Sequence, residues 1–288
     1  MKVEVKIINA FSIQNKGGNP AGVVFEADSL TQQQKQAIAA RLGFPETAFV
    51  SRSQKASFKL DFFTPIKQIP HCGHATIATF TYLKQLGKIP SDHATKETID
   101  GNREIHYKDT YAFMEQKAPT YITPERERLL ILQSLGITAD DLKEGFQPTI
   151  VNTGNSFLLV PVKSELVLEN LQPNMQQIAE VSAPYNLIGY YVYAPTANES
   201  LPATARMFGP YYGITEEAAT GMAAGPLACF LYEKENIRQT QMRIEQGRFM
   251  QPSSPSLLHV HLDIVDGQIK RLFAGGDAYL SDEKTLEI

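Results

Sequence analysis

The stretch His71-Cys72-Gly73-His74-Ala75-Thr76 passes from a polar turn straight into residues 75–83, which are small, β-branched or aromatic and meet no charge until Lys84. A helix built from them is apolar on every face, so the rest of a domain must enclose it. The first backbone N–H groups of a helix lack internal partners and carry the positive end of its dipole. That makes Gly73, His74 and Ala75 a candidate cradle for a carboxylate or phosphate. Gly73, having no Cβ, lets an anion approach the backbone closely.

Working outward, the element occurs twice. Laying Phe63-Thr64-Pro65 over Phe208-Gly209-Pro210 puts Cys72-Gly73-His74-Ala75 over Thr220-Gly221-Met222-Ala223, and a second uncharged segment spans 218–232. A duplicated buried helix preceded by a Pro-containing loop predicts two similar domains facing each other, with both helix starts at one cleft. Pro226 would forfeit a hydrogen bond inside a helix, so the regular part of the second helix is expected from near Gly225, with 220–224 as a turn or a distorted first turn.

The 288 residues suffice for two domains, and 43% hydrophobic with 20% charged residues is ordinary globular composition. A net charge of −4 and the lack of a Lys/Arg cluster argue against nucleic acid as a partner. No apolar run is long enough to cross a bilayer, and Met1-Lys2-Val3-Glu4-Val5-Lys6 alternates like a strand instead of leading into a signal-peptide core, so the expected location is cytoplasmic. The two cysteines, Cys72 and Cys229, form no CxxC and no disulfide-dense pattern, which favours reduced thiols.

Along the chain, residues 3–8 alternate as a half-buried strand. Gly17-Gly18-Asn19-Pro20-Ala21-Gly22 predicts an unusual turn, and Val23-Val24-Phe25 a short strand. Residues 29–42 read as a helix capped by Ser29 or Thr31, with Leu30, Ile38 and Leu42 inward and Gly43 ending it. Strands are expected at 46–50, with Glu46 at the mouth, at 57–63, and, after the turn signal Asp100-Gly101, at 104–115. Ala118-Pro119 is the linker candidate. It gives a first domain of 1–118, with 278–288 as a candidate completion, and a second of 119–277. In the second, a polar helix over 124–135 turns Leu129, Leu130, Leu132 and Leu135 inward and stops at Gly136. Strands follow at 149–151, 157–162 and 188–194, the run 203–208 leads into the second buried helix, and further strands are expected at 241–246, 257–265 and 269–274.

Many strands around one apolar helix in each half predict an α+β fold: two pseudo-symmetric domains, each a barrel-like, mostly antiparallel sheet around a central buried helix. No GxGxxG follows a strand and no GxxxxGK[ST] occurs, so nothing argues for a nucleotide cofactor.

Asn9-Ala10-Phe11 with Gly18-Asn19-Pro20-Ala21-Gly22, then Glu46-Thr47-Ala48-Phe49, then Phe63-Thr64-Pro65 with Cys72-Gly73-His74-Ala75-Thr76, resembles the phenazine-biosynthesis isomerase family, the PhzF-like proteins of diaminopimelate epimerase fold. The resemblance continues through Arg206, Phe208, Pro210, Gly213, Thr220-Gly221 and Ala223-Ala224-Gly225-Pro226-Leu227 to Glu245-Gln246-Gly247, almost the whole chain. It implies a cofactor-free active site between two domains, a homodimer, a general acid/base glutamate at Glu46 and an active-site histidine at His74. It also implies anion-binding backbone at Gly73-His74 and Gly221-Met222. The substrate-binding set expected from these motifs is Asn19, Cys72, Gly73, His74, Thr220, Gly221 and Met222. Where the family usually reads Asp-Pro-Ala-Thr-Gly-Ser, this chain has Glu217-Ala218-Ala219-Thr220-Gly221-Met222. Glu217 carries its carboxylate on an arm longer by one methylene, and Met222 removes a hydroxyl. Both changes bear on the phenazine substrate itself.

Glu46, walled by Phe44, Phe49 and the buried helix, is expected to have a raised pKa suited to moving a proton on carbon. The bland alternative is a solvated strand-edge carboxylate. His74 is expected to polarise a carbonyl or orient a carboxylate, or else to cap its own helix. Glu217 would assist. His71-Cys72-x-His74 lacks the further ligands of a zinc site, so no metal is expected. Cys72, at a helix start, should have a depressed pKa. Its counterpart is Thr220, which cannot accept a proton from carbon at neutral pH, so two-cysteine racemisation is not supported. Cys229 reads as core. Two classes of function stand: a cofactor-independent isomerase of a small carboxylic acid, with an epimerase using unlike acid/base groups as its near variant, and a non-catalytic carboxylate-binding protein.

Overall fold

The computed structural model describes residues 1–99, 101–198 and 200–288. The chain divides into two units: Met1–Glu115 with Gly275–Ile288, and Gln116–Ala274. Asp100, of the Asp100-Gly101 turn signal, lies outside the described residues. Among the described residues no helix is long and apolar enough to cross a membrane.

In the first unit the order is β1 (Lys2–Ala10), β2 (Asn19–Val24), α1 (Gln32–Leu42), β3 (Thr47–Ser51), β4 (Phe58–Phe63), β5 (Gln68–Ile69), α2 (Gly73–Gln85), β6 (His93–Thr98), β7 (Gly101–Lys108) and β8 (Tyr111–Lys117), with the last strand of the chain at Ala278–Glu287. That last strand pairs with β1, and the row continues through β2, β3, β4, β6, β7 and β8. All neighbours are antiparallel except β2 with β3 and β4 with β6. Among the described residues the two ends of the row do not pair with each other, so the expected barrel is an open sheet.

Helix α2 is buried from Gly73 through Thr81 and packs on β1, β2, β3 and the last strand. Its hydroxyls are satisfied: Thr76 and Thr79 donate to the Cys72 and Ala75 carbonyls at 2.6 and 2.7 Å, and the Thr81 hydroxyl accepts from the Ala112 N–H at 3.1 Å. Helix α1 uses Thr31, not Ser29, as its N-cap, because a reciprocal pair with Gln34 forms only there, and Gly43 ends it in the left-handed conformation. It covers a separate cluster of Val3, Val5, Ile7, Ile38, Phe49 and Phe63.

In the second unit come β9 (Thr120–Ile122), α3 (Arg128–Leu135), β10 (Thr149–Asn152), β11 (Ser156–Pro161), α4 (Glu165–Glu169), α5 (Met175–Tyr185), β12 (Leu187–Ala194), β13 (Ala203–Gly209), β14 (Ile214–Glu217), α6 (Gly221–Glu233), β15 (Gln241–Gln246), β16 (Ser256–Val265) and β17 (Gln268–Gly276). The ladder β10–β11–β12–β13–β15–β16 repeats the sense of β1–β2–β3–β4–β6–β7 step for step: antiparallel, parallel, antiparallel, parallel, antiparallel. The short β14 hangs on β13 as β5 hangs on β4. The two buried helices fall at the same step and each is 13 residues long, with N-caps at Cys72 and Thr220, the residues the internal overlay aligned.

Several expectations are corrected. The second buried helix begins at Gly221, not Gly225, with Pro226 inside it. The Ala224 N–H already reaches the Thr220 carbonyl at 3.0 Å, so the proline forfeits a single bond about one and a half turns from the start. Residues 104–115 are two strands, split at Asp109 in the left-handed conformation. The unusual backbone lies earlier, at Gln14, Asn15, Gly17 and Gly18, all left-handed, and Asn19 to Gly22 are already strand. Leu129 faces solvent at 68% exposure and Ile131 takes its place in the core. Strands β5, β6, β9 and β14 and helices α4 and α5 are not among the elements expected from the sequence.

Candidate active site

Glu46 immediately precedes β3, and its carbonyl accepts from the Gly22 N–H at 3.2 Å, so the parallel pairing of β2 with β3 fixes its backbone. Its side chain is 14% exposed, which is not the solvated carboxylate of a strand edge. His74, second residue of α2 and 4% exposed, presents Nε2 to Glu46 Oε2 at 3.4 Å and Nδ1 to Cys72 Sγ at 3.6 Å. The ring therefore lies between the two other groups; the N-cap, Cys72, makes no side-chain cap bond. A neutral imidazole carries one proton on two nitrogens, so one neighbour faces a donor and the other an acceptor.

Cys72 differs from expectation. Burial pushes its thiol above the ordinary 9.0, outweighing the lowering by His74, while Glu46 raises it further. The depression that a helix start confers needs the thiolate to stay solvated, and Cys72 is 5% exposed. Cys229 is buried core, its thiol also pushed up by burial. The third donor thought missing for a metal is present: Glu46, Cys72 and His74 each offer a ligand atom, all within 4.8 Å of one another. Sequence spacing could not show this, because Glu46 reaches the helix start through sheet pairing.

Asn19 opens β2 at 3% exposure, just after Gly18, whose left-handed φ and contact with the Ala10 carbonyl exclude a Cβ. The N–H groups of Gly73 and His74 lie in the first turn of α2, where a helix offers no partner four residues back.

In the second unit, Glu217 ends β14 and Thr220 caps α6. The Thr220 hydroxyl donates to Glu217 Oε2 in a short contact. Gln246, wholly buried, fixes the polarity of this link. Its Oε1 accepts from the Thr220 N–H and the Tyr191 hydroxyl, both at 3.0 Å; its Nε2 donates to the Glu217 carbonyl at 2.7 Å and to Thr220 Oγ1 at 3.2 Å. With an N–H donated into Thr220 Oγ1, its own proton points at Glu217. In the sequence Gln246 stands out only within the Glu245-Gln246-Gly247 motif, and Tyr191 does not stand out at all. The alternation Met242, Ile244, Gln246 was the available signal, because it puts the amide on the inward face of the strand and buried amides need partners.

Gly221 and Met222 form the first turn of α6. The Gly221 carbonyl accepts from Gln116 Nε2 at 3.0 Å, and Met222 Sδ receives Asn155 Nδ2 at 3.3 Å. The structure thus gathers Glu46, Cys72, Gly73 and His74 at one helix start and Glu217, Thr220, Gly221 and Met222 at the other.

A sequence profile of the phenazine biosynthesis-like proteins, PhzC-PhzF, matches residues 8–283. The Escherichia coli protein named uncharacterized isomerase YddE is 31% identical over 293 residues, 97% of each chain. Trans-2,3-dihydro-3-hydroxyanthranilate isomerase from Pseudomonas chlororaphis is 29% identical over 94% of each chain. The crystal structure of a Bacillus anthracis phenazine biosynthesis protein of the PhzF family superposes with a TM-score of 0.88 over all of both chains, at 27% identity. A profile spanning nearly the full length, relatives named as isomerases and an end-to-end structural match agree: this chain belongs to the phenazine biosynthesis-like PhzC-PhzF family and is an isomerase.

Proposed function

We propose that this isomerase moves a proton on a carbon of a small carboxylic acid, with Glu46 taking and returning it, and that acid/base chemistry needs no cofactor for the step. The observation that carries this is the largely buried Glu46 carboxylate beside His74 at the first turn of α2. A carboxylate with an imidazole at 3.4 Å can pass its proton aside while the allylic anion of the substrate redistributes charge, then deliver a proton to the other end. The N–H groups of Gly73 and His74 suit the substrate carboxylate, held against the positive end of the helix dipole. In this proposal Asn19 and Cys72 line the same site, and Glu217, with Thr220, Gly221 and Met222, assists. A carboxylic acid is also what the name of the Pseudomonas relative specifies for that protein.

The donor atoms of Glu46, Cys72 and His74 lie within 4.8 Å of one another, so they would serve one face of a bound substrate. That favours a proton shift along one face over epimerisation, which needs groups on opposite faces. The test is solvent-deuterium incorporation, read by mass spectrometry across a panel of unsaturated and amino carboxylic acids. Glu46→Gln keeps the shape but loses the transferable proton, and its exchange should fall by about two to four orders of magnitude. Glu217→Gln should lose less. Exchange unchanged in Glu46→Gln sinks the mechanism; acids that bind without any exchange would establish the binding-protein reading instead.

A further inference from the structure

The three groups at the start of α2 are a thiol sulfur, an imidazole nitrogen and a carboxylate oxygen, the donor types that zinc sites use. We infer that Glu46, Cys72 and His74 together bind a divalent cation of zinc type through one atom each, leaving a fourth position open to water or to a carboxylate.

Distances carry the argument. Around a tetrahedral zinc, with bonds of about 2.3 Å to sulfur and about 2.0 Å to nitrogen or oxygen, sulfur and nitrogen lie ~3.6 Å apart and nitrogen and oxygen ~3.3 Å apart. Cys72 Sγ is 3.6 Å from His74 Nδ1, and His74 Nε2 is 3.4 Å from Glu46 Oε2. One imidazole lends one nitrogen to the ion, so only the third donor has to move. From within 4.8 Å it must close by roughly 1 Å, which a side-chain rotation supplies. The thiolate selects the ion, since sulfur with imidazole suits zinc, cobalt or cadmium and disfavours magnesium and calcium.

The surroundings are those of a held site. Cys72 and His74 are 5% and 4% exposed, and the Cys72 backbone is anchored by the hydroxyl of Thr76 on its carbonyl. Lys96 Nζ donates in turn to Thr76 Oγ1 at 2.7 Å and sits 2.8 Å from His71 Nδ1, which ties down the loop before the helix. Binding breaks the S–H bond of Cys72, forms the sulfur–metal bond and releases the proton to solvent. A Glu46 oxygen on the ion cannot also hold the substrate proton, so the cation would act as a reversible inhibitor; this clause alone rests on the proposed acid/base role.

Cobalt(II) titrated into the reduced full-length protein, alongside equilibrium dialysis with zinc, tests the site. The expected result is one cation per chain with a thiolate-to-cobalt charge-transfer band in the near ultraviolet. Cys72→Ser should abolish the band and weaken zinc by about a hundredfold or more, exceeding the usual loss from an outer partner. Glu46→Gln should keep the band and weaken zinc at least about tenfold, and Cys229→Ser should change neither. No band at saturating cobalt, a band that survives Cys72→Ser, or zinc affinity unchanged in Glu46→Gln overturns the inference. Glu46→Gln decides it alone should Cys72→Ser fail to fold. The exchange assay separates the two readings. Zinc bound stoichiometrically with exchange unaffected overturns the role of Glu46 and leaves the site standing. Exchange without zinc binding overturns the site alone, and exchange lost with zinc and restored by a chelator supports both.

Discussion

At the N-cap of α2 two influences on Cys72 oppose each other: the helix start favours the thiolate, and enclosure favours the thiol. Enclosure wins, holding the thiol above 9.0, and burial does the same for Cys229. In the unfolded chain both return to their ordinary value. Between that value and the folded one, the unfolded chain has released a proton that the folded chain keeps, so stability is fully present below pH about 9 and falls as pH rises. Tyr190, Tyr191 and Tyr193, raised from 10.0 by burial, add to the fall at higher pH. The urea midpoint should hold from pH about 7 to 9 and then decline, and replacing both cysteines by alanine should remove the earlier part of that decline. A midpoint flat to pH about 11 contradicts this. The same residues mark what the sequence discloses. Helix-start groups such as Gly73 and His74 are legible because local pattern places them. The acidity of Cys72 is not, because the burial that sets it comes from strands remote in sequence. The contact of Glu46 with His74 is built by sheet pairing, and the sequence pointed to it only through a family resemblance.

Among the elements, the two buried helices were legible as uncharged runs, and their equal length and matching caps follow from the overlay of Cys72 on Thr220. The start of α6 was not legible because Pro226 suggests a break, whereas the Ala223 and Ala224 N–H groups close the first turn on the Thr220 carbonyl ahead of it. Gly225 explains how that turn is held: a Cβ there would lie 2.5 Å from Gln116 Oε1 and 2.6 Å from Leu272 Cδ1. Gln116 is not free to yield, since it donates to the Gly221 carbonyl and accepts from Thr153 Oγ1 at 2.7 Å. Gly225→Ala gains ~1 kcal/mol of helix propensity but displaces a buried amide, at a cost of ~1–3 kcal/mol for each group left without a partner. We expect a net loss of ~1–3 kcal/mol by chemical denaturation, shrinking in a Gln116→Ala background to what the shift of the Leu272 side chain costs. A loss of the same size in both backgrounds would show that the amide is not what Gly225 accommodates. The 163–187 segment was legible only in part. Helix α4 has only five residues, too few to show a period, whereas in α5 Met175, Ile178, Val181 and Tyr185 recur at helical spacing and were legible.

On the scale of the whole molecule, the first unit is assembled from two separated pieces of chain, whereas the second is one continuous run. The last strand pairs with β1 from Lys2 to Ala10, and Leu286 and Ile288 add to the cluster under α1. Gly276 also supplies the carbonyl that Thr81 of α2 donates to. A chain ending at residue 274 should therefore lose amide-exchange protection throughout 1–115 while 116–274 keeps its slow amides. Equal protection in both units would show the last strand to be dispensable. The divided first unit also sets an order of events during synthesis. Its first 115 residues leave the ribosome long before the strand at 278–287, and the continuous unit has been fully translated by then. The usual N-terminal-first sequence of maturation is thus inverted, the later unit being finished earlier. Throughout that interval one edge of β1 is open to any extended chain nearby, so the nascent protein has its greatest need of a chaperone at β1, far from the point of synthesis.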